Sequence, residues 1–268
     1  MKQIHYLAGL PRSGNTVLST ILNQHPDIYS SPLSPMPDLT LAVHTSYYQT
    51  EGSMTNPQPQ RLKSLISSMQ ESFYSDVKEP IVFDRDKCWT TPTNFSLVKN
   101  YMSDSPKVVL TVRPVLEILA SYVTQAKNHD FLKYHMEREG FLPRLYLPLE
   151  DAYCDYLMSP TGLIVKCLLG LSNALLPENT EFVHLVDYGS LVDNPKKVME
   201  GIYDFIGVEQ FDHNFSNLQK IEVDNDTAIS LPPDFHLVRK QLQKTSPKVE
   251  DVLSDYVLNK YSSVNFWI

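Results

Sequence analysis

The sequence predicts an α/β fold of three layers: a central, mostly parallel sheet of four to five strands, with helices packed on both faces. Three observations predict it. Short apolar runs of strand length recur at residues 4–8, 80–83, 108–112 and 181–186. Stretches with helical spacing of apolar residues separate them, which is the alternation of parallel βαβ units. Chemistry-bearing residues follow directly after strands, where parallel sheets bind their ligands.

The first unit spans residues 4–24, IHYLAGLPRSGNTVLSTILNQ. Residues 4–8 suit a buried strand, and Gly9-Leu10-Pro11-Arg12-Ser13-Gly14 is turn chemistry carrying one cation. From Asn15 onward Val17, Leu18, Ile21 and Leu22 fall on one helical face. The loop therefore ends where a helix begins, and unpaired N–H groups and the positive end of the helix dipole make an anion site there. Gly14 allows close backbone approach. Ser13 and Thr16 add hydroxyls, and Arg12 adds a planar fork suited to oxyanions. Gly9, Gly14 and Thr16 sit where a triphosphate-binding P-loop wants them, but the Lys position is Asn15. The cation stands three residues earlier, at Arg12. That favours a shorter phosphate chain and a reaction without a metal.

His25-Pro26-Asp27 stops the first helix. Residues 30–40, SSPLSPMPDLT, rich in proline, read as an irregular loop, and 40–59 as a lid or substrate loop. Leu62, Leu65, Ile66, Met69 and Phe73 mark a helix over 61–77. The second strand is followed by Asp84-Arg85-Asp86-Lys87-Cys88-Trp89. The third, VVLTV, has the look of a central parallel strand. It runs into Arg113-Pro114, with Pro opening the next helix. Residues 125–160 read as a helical insertion. The fourth strand leads to Asp187-Tyr188, and Asn194-Pro195 starts a further helix.

At 268 residues one large domain is expected, with acceptor-side loops or insertions near 30–75 and 125–180. Lys and Arg number 23 against 31 Asp and Glu, a net charge of −8 with no long basic run, which argues against nucleic acid as a partner. Three cysteines without C-x-x-C spacing suggest a reducing compartment. The chain enters a strand within four residues and has no apolar run of membrane-spanning length. A cytoplasmic protein without a membrane partner is expected. Oligomeric state is not readable.

LPRSGNT followed by VLSTILNQHPDI resembles the phosphosulfate loop and first helix of the sulfotransferases that use 3′-phosphoadenosine-5′-phosphosulfate (PAPS). The likeness is greatest to the branch with Pro-Arg-Ser-Gly-Thr-Thr, with Asn15 in place of the first Thr. The resemblance implies a P-loop-like fold, PAPS as donor, PAP as product and no metal. It implies that Pro11, Arg12, Ser13, Gly14, Asn15 and Thr16 cradle the 5′-phosphosulfate. Arg113 ends a strand and Ser121 lies about 10 Å along the following helix, so a phosphate over its first turn could touch both. In the family an Arg and Ser at this spacing bind the 3′-phosphate.

Many relatives place a Lys after the second strand, near the sulfuryl group; Lys87 stands there, and could neutralise developing charge. Trp89 reads equally as a stacking platform or a core residue, and Tyr188 as an adenine neighbour or a core residue. The segment from Leu185 to Pro195 is similar to the family's Tyr-Glu-Asp-Leu-x-x-x-Pro stretch, with Gly189-Ser190 in place of Glu-Asp. Arg239, Lys240 and Lys244 are candidates for a late nucleotide contact.

Transfer to a hydroxyl or amine also needs a proton acceptor. Relatives use a His two residues after the Lys, here Trp89, or a Glu after the first helix, where residues 28–37 hold no acid or His. Asp38, His44, Asp84 and Asp86 are the candidates, with Asp86 taken into the expected catalytic set beside Arg12 and Lys87. His129 and His135 lie in the insertion. A small molecule, glycan or peptide fits as acceptor. The rival readings are a P-loop kinase or hydrolase and a non-catalytic PAP-binding protein.

Overall fold

A computed structural model of the chain describes residues 2–128, 146–221, 225–229, 231 and 235–267. Five strands form its sheet: β1 (Gln3–Gly9), β2 (Ile28–Leu33), β3 (Ile81–Arg85), β4 (Val108–Val112) and β5 (Val183–Asp187). They run parallel in the order β2-β3-β1-β4-β5. The expected parallel α/β architecture is met, with all five strands in one direction.

Side chains alternate across this sheet with period two and divide the core into two layers. Tyr6 and Ala8 of β1 and Val108, Leu110 and Val112 of β4 face one cluster. Leu7 and Val109 face the other. The first cluster is closed by α6 (Val115–Asn128), α7 (Leu149–Leu157) and α8 (Leu163–Ala174), through residues such as Leu119, Tyr153 and Leu171. The second is closed by α1 (Asn15–Leu22) and by α10 (Pro195–Ile206), which follows the short α9 (Tyr188–Asp193). Leu18, Ile21, Met199 and Ile202 carry that contact.

Two expectations are corrected. Residues 30–33, at the start of the stretch read as irregular, belong to β2. Pro32 cannot donate to a ladder, but β2 lies at the sheet edge and its pairing with β3 shifts register between Ser30 and Leu33. Residues 40–59, read as a loop, are largely helical: α2 (Met36–Gln49), α3 (Glu51–Thr55) and the start of α4 (Pro59–Phe73). Pro37 is tolerated in the first turn of α2. Only Met36, Pro37 and Thr40 of α2 are buried, so it leaves little apolar period to read. Of the insertion expected at 125–160, residues 129–145, with His129 and His135, lie outside the described residues. The chain continues after them in α7. Further along β3, α5 (Pro92–Leu97) precedes β4, and α11 (Asp255–Tyr261) lies near the end.

The connection from β1 leads to β2 and β3 on one side, and β4 lies on the other. The crevice between the ends of β1 and β4 is therefore the switch point where such sheets take ligands. The two strands meet closely there. Gly9 has φ +145°, and a Cβ on it would lie 2.3 Å from Thr111 Oγ1. Leu10 N–H then donates to Thr111 O at 2.9 Å, which pins the loop to β4.

Candidate active site

The ends of β1, β3 and β4 open into a cleft of about 860 Å³. The loop after β1 contributes Pro11, Arg12, Gly14, Asn15 and Thr16. The end of β3 contributes Arg85 and Lys87; β4 and α6 contribute Arg113 and Ser121. Tyr156, Leu157, Leu163 and Lys166 line it from α7 and α8, and Asn225, Asp226, Phe235, His236 and Thr245 line it from later in the chain.

Arg12 lies at the centre. Its backbone is left-handed, with φ +60°. Its Nε donates to Ser121 Oγ at 3.1 Å and its Nη1 to Phe235 O at 2.8 Å. The guanidinium also stacks 4.6 Å over the Phe235 ring. Burial presses the Arg12 pKa down, and the nearby Arg113 charge adds to that.

Arg113 is buried beside it. Its Nη1 donates to the carbonyl of Arg12 at 2.8 Å, its Nε to Glu117 Oε2 at 3.1 Å and its Nη2 to Ser246 Oγ. Its guanidinium lies 4.6 Å over the Tyr188 ring. Tyr188 packs against the loop in turn: a Cβ on Gly14 would come within 2.8 Å of Tyr188 Cδ2, and Gly14 is left-handed at φ +91°.

Thus Pro11, Arg12, Gly14, Asn15, Thr16, Lys87, Arg113, Ser121 and Tyr188 surround one space. Ser13 and Asp86 do not line it. The Ser13 hydroxyl, expected to reach an anion, is turned inward to Leu10 O and Thr111. Asn15 spends its side-chain donor on Leu10 O at 3.2 Å, so it braces the loop. Asp86 Oδ1 accepts from the Cys88 N–H at 2.7 Å, and burial pushes its carboxyl up. Asp38 is exposed, and His44 packs against Tyr48 and Tyr101 away from the cleft. Arg239 and Lys240 are exposed and do not reach the cleft; Lys244 lines a separate, smaller pocket beside Glu117 and Ser246.

Three groups escaped the sequence reading. Arg85 is buried at the end of β3, with Nε on Ser31 O and Nη1 on Thr16 Oγ1, each at 3.1 Å. Its position as the last residue of the strand beside β1 is the signal that could have found it. Lys166 faces the cleft from α8, and the neighbouring Cys88 raises its pKa. Asp226 and His236 line the cleft as a hydrogen-bonded pair, Nδ1 to Oδ1 at 2.5 Å. Among the described residues five cationic side chains and one carboxylate line the cleft, in a chain of net charge −8.

Trp89 is a core residue, fully buried, with its Nε1 donating to Asp84 Oδ1 at 3.0 Å. Burial pushes the Asp84 carboxyl up to about 6, against the pull of hydrogen bonds from Ser34, Tyr74, Trp89 and Gln70. A carboxyl whose pKa is raised by folding binds its proton more tightly in the native state. Stability is therefore lost as pH rises from about 4 through about 6. His5 and His213, lowered to about 4 chiefly by burial, act the opposite way over that range. Comparison with Asp84→Asn isolates the carboxyl. The unfolding free energy of the parent relative to that variant should fall by on the order of 2–3 kcal/mol between pH 4 and pH 7 in urea titrations. A difference independent of pH would show that Asp84 ionises normally.

Among the described residues no group of three His, Cys, Asp or Glu is placed to hold a metal ion, and no helix is long and apolar enough to cross a membrane. The family model described as "Sulfotransferase domain" matches residues 5–244. No curated protein sequence gives a significant match. Solved structures share the fold at low identity. The sulfotransferase domain from the curacin biosynthetic pathway is 15% identical, covering 98% of both chains, with a TM-score of 0.59. Mouse sulfotransferase SULT7A1 complexed with PAP is 14% identical over 98% of this chain and 83% of its own, with a TM-score of 0.54. The sulfotransferase domain of the Synechococcus PCC 7002 olefin synthase is 18% identical over 98% and 89%, with a TM-score of 0.53.

Proposed function

The chain belongs to the sulfotransferase family, and on that premise we propose that it moves the sulfuryl group of PAPS to a hydroxyl or amine, releasing PAP. The observation that carries this reading is the charge of the cleft. Among the described residues five cations converge there in an acidic chain, an arrangement suited to a polyanionic nucleotide.

PAPS supplies, when bound, a sulfuryl group already activated by its phosphate leaving group. The N–H groups at the start of α1, from Gly14 to Thr16, are suited to the 5′-phosphate, since the helix dipole and a glycine converge there. Arg12 would hold the bridging oxygen, where negative charge grows as the bond to sulfur breaks. Lys87 would neutralise the sulfuryl oxygens, and Arg85 would support Thr16. Arg113 and Ser121 would take the 3′-phosphate, with Tyr188 beside the adenine. The geometry supports this division because both arginines reach one space from adjacent strand ends.

We read the chain as one domain whose acceptor end lies against Tyr156, Leu157 and Leu163. That apolar wall favours a small organic acceptor over a glycan or peptide. The three free cysteines fit the cytoplasm, a reducing compartment.

Calorimetry with PAP, PAPS and ATP tests the donor. PAP should bind equally well in EDTA and in magnesium, and ATP at least about tenfold more weakly, for want of a 3′-phosphate. Magnesium-dependent ATP binding would instead mark a P-loop kinase or hydrolase. PAP binding without any transfer from radiolabelled PAPS would mark a non-catalytic binder.

A further inference from the structure

The cleft holds a second constellation that the donor does not use. Asp226 opens a short 3-10 turn, His236 follows ten residues later, and both line the cleft. The Asp226 side chain is almost fully buried. One of its oxygens accepts from the His236 ring at Nδ1, at 2.5 Å, and the other from the His236 backbone N–H at 3.1 Å. The carboxylate thus fixes both the backbone and the ring of the same residue. It selects the tautomer with the proton on Nδ1, and so makes Nε2 the basic nitrogen. The Phe235 ring stands edge-on to the imidazole, and the preceding carbonyl, that of Phe235, is bonded to Arg12 Nη1 at 2.8 Å. His236 is therefore one peptide unit from the guanidinium assigned to the bridging oxygen.

Among the described residues lining the cleft, the other ionisable or hydroxylic side chains are cations, Ser, Thr and Tyr. Lys166 is held protonated, and Asp86 is committed to the Cys88 N–H. Among the described residues, Asp226 bonds the His236 ring, and Arg12 from the loop after β1 bonds the neighbouring Phe235 carbonyl.

We propose that His236 is the general base of sulfuryl transfer and Asp226 its positioning residue. This rests on the PAPS reading above. The acceptor O–H proton passes to His236 Nε2 while the acceptor oxygen bonds to sulfur. The bond from sulfur to the bridging phosphate oxygen breaks, PAP leaves with that electron pair, and the proton is then released to solvent.

The test compares the parent with His236→Gln and Asp226→Asn. PAP affinity is measured by calorimetry. Transfer from radiolabelled PAPS is measured to water and to a panel running from simple alkanols through phenol to p-nitrophenol, over a range of pH. His236→Gln should bind PAP within about threefold of the parent and transfer about 10²-fold more slowly. Its deficit should shrink toward p-nitrophenol, whose proton leaves without help. The parent rate should rise with pH along an ionisation that this variant lacks. Asp226→Asn should lose about tenfold and shift that ionisation. Unchanged transfer in His236→Gln overturns the proposal. So does a deficit equal across all acceptors and matched by lost PAP affinity, which would make the pair a structural strap. If the parent itself neither binds PAP nor turns over PAPS, the donor reading fails first and the base falls with it.

Discussion

Arg12→Ala should lower sulfuryl transfer by about 10³-fold, the scale seen when a preorganised donor is removed from developing negative charge. The loss should fall mainly on the chemical step, because the proposed contact strengthens as the bridging oxygen gains charge. Single-turnover transfer from radiolabelled PAPS, beside PAP calorimetry, separates rate from binding. Arg12→Lys is an informative companion. It keeps the charge but loses the fork that reaches Ser121 and Phe235 O together. Partial recovery in Arg12→Lys would show that charge matters most, and none that geometry does. A variant with Ala at position 12 that transfers at the parent rate would remove Arg12 from the mechanism.

Arg113→Ala should weaken PAP binding by about 10–100-fold, as charged hydrogen bonds to a phosphate are worth about 1.5–3 kcal/mol. Adenosine 5′-phosphate, which lacks the 3′-phosphate, should bind parent and variant alike to within a few fold, apart from the loss of support at the carbonyl of Arg12. The paired titrations report where on the nucleotide the guanidinium acts. Undiminished PAP affinity would place the 3′-phosphate elsewhere in the cleft.

The sheet and the loop after β1 were legible because their signals are local. A buried strand shows as an apolar run, and a glycine-rich turn before a helix shows as spacing, so β1, β4 and the positions of Arg12 and Arg113 follow from short windows. β2 was hidden by Pro32, which an edge strand accepts and a central one does not. α2 was hidden because so little of it is buried. Ser13 shows a different limit: its residue type suits an anion, yet the nearness of Thr111, a neighbour only in space, turns its hydroxyl inward. Arg85 and the Asp226–His236 pair depend on hydrogen bonds between segments far apart in the chain or without periodic structure, which leave no period to read.

The left-handed backbone at Arg12 has a consequence for how the cleft meets its nucleotide. A non-glycine residue holds φ +60° at a cost of about 1 kcal/mol or more, and only when its surroundings leave it no alternative. Here the bonds from Leu10 to Thr111 and from Arg113 to the Arg12 carbonyl supply that constraint. The loop side of the cleft is thus held rigid, so a nucleotide bound there as proposed would meet a mould already cast before it arrives.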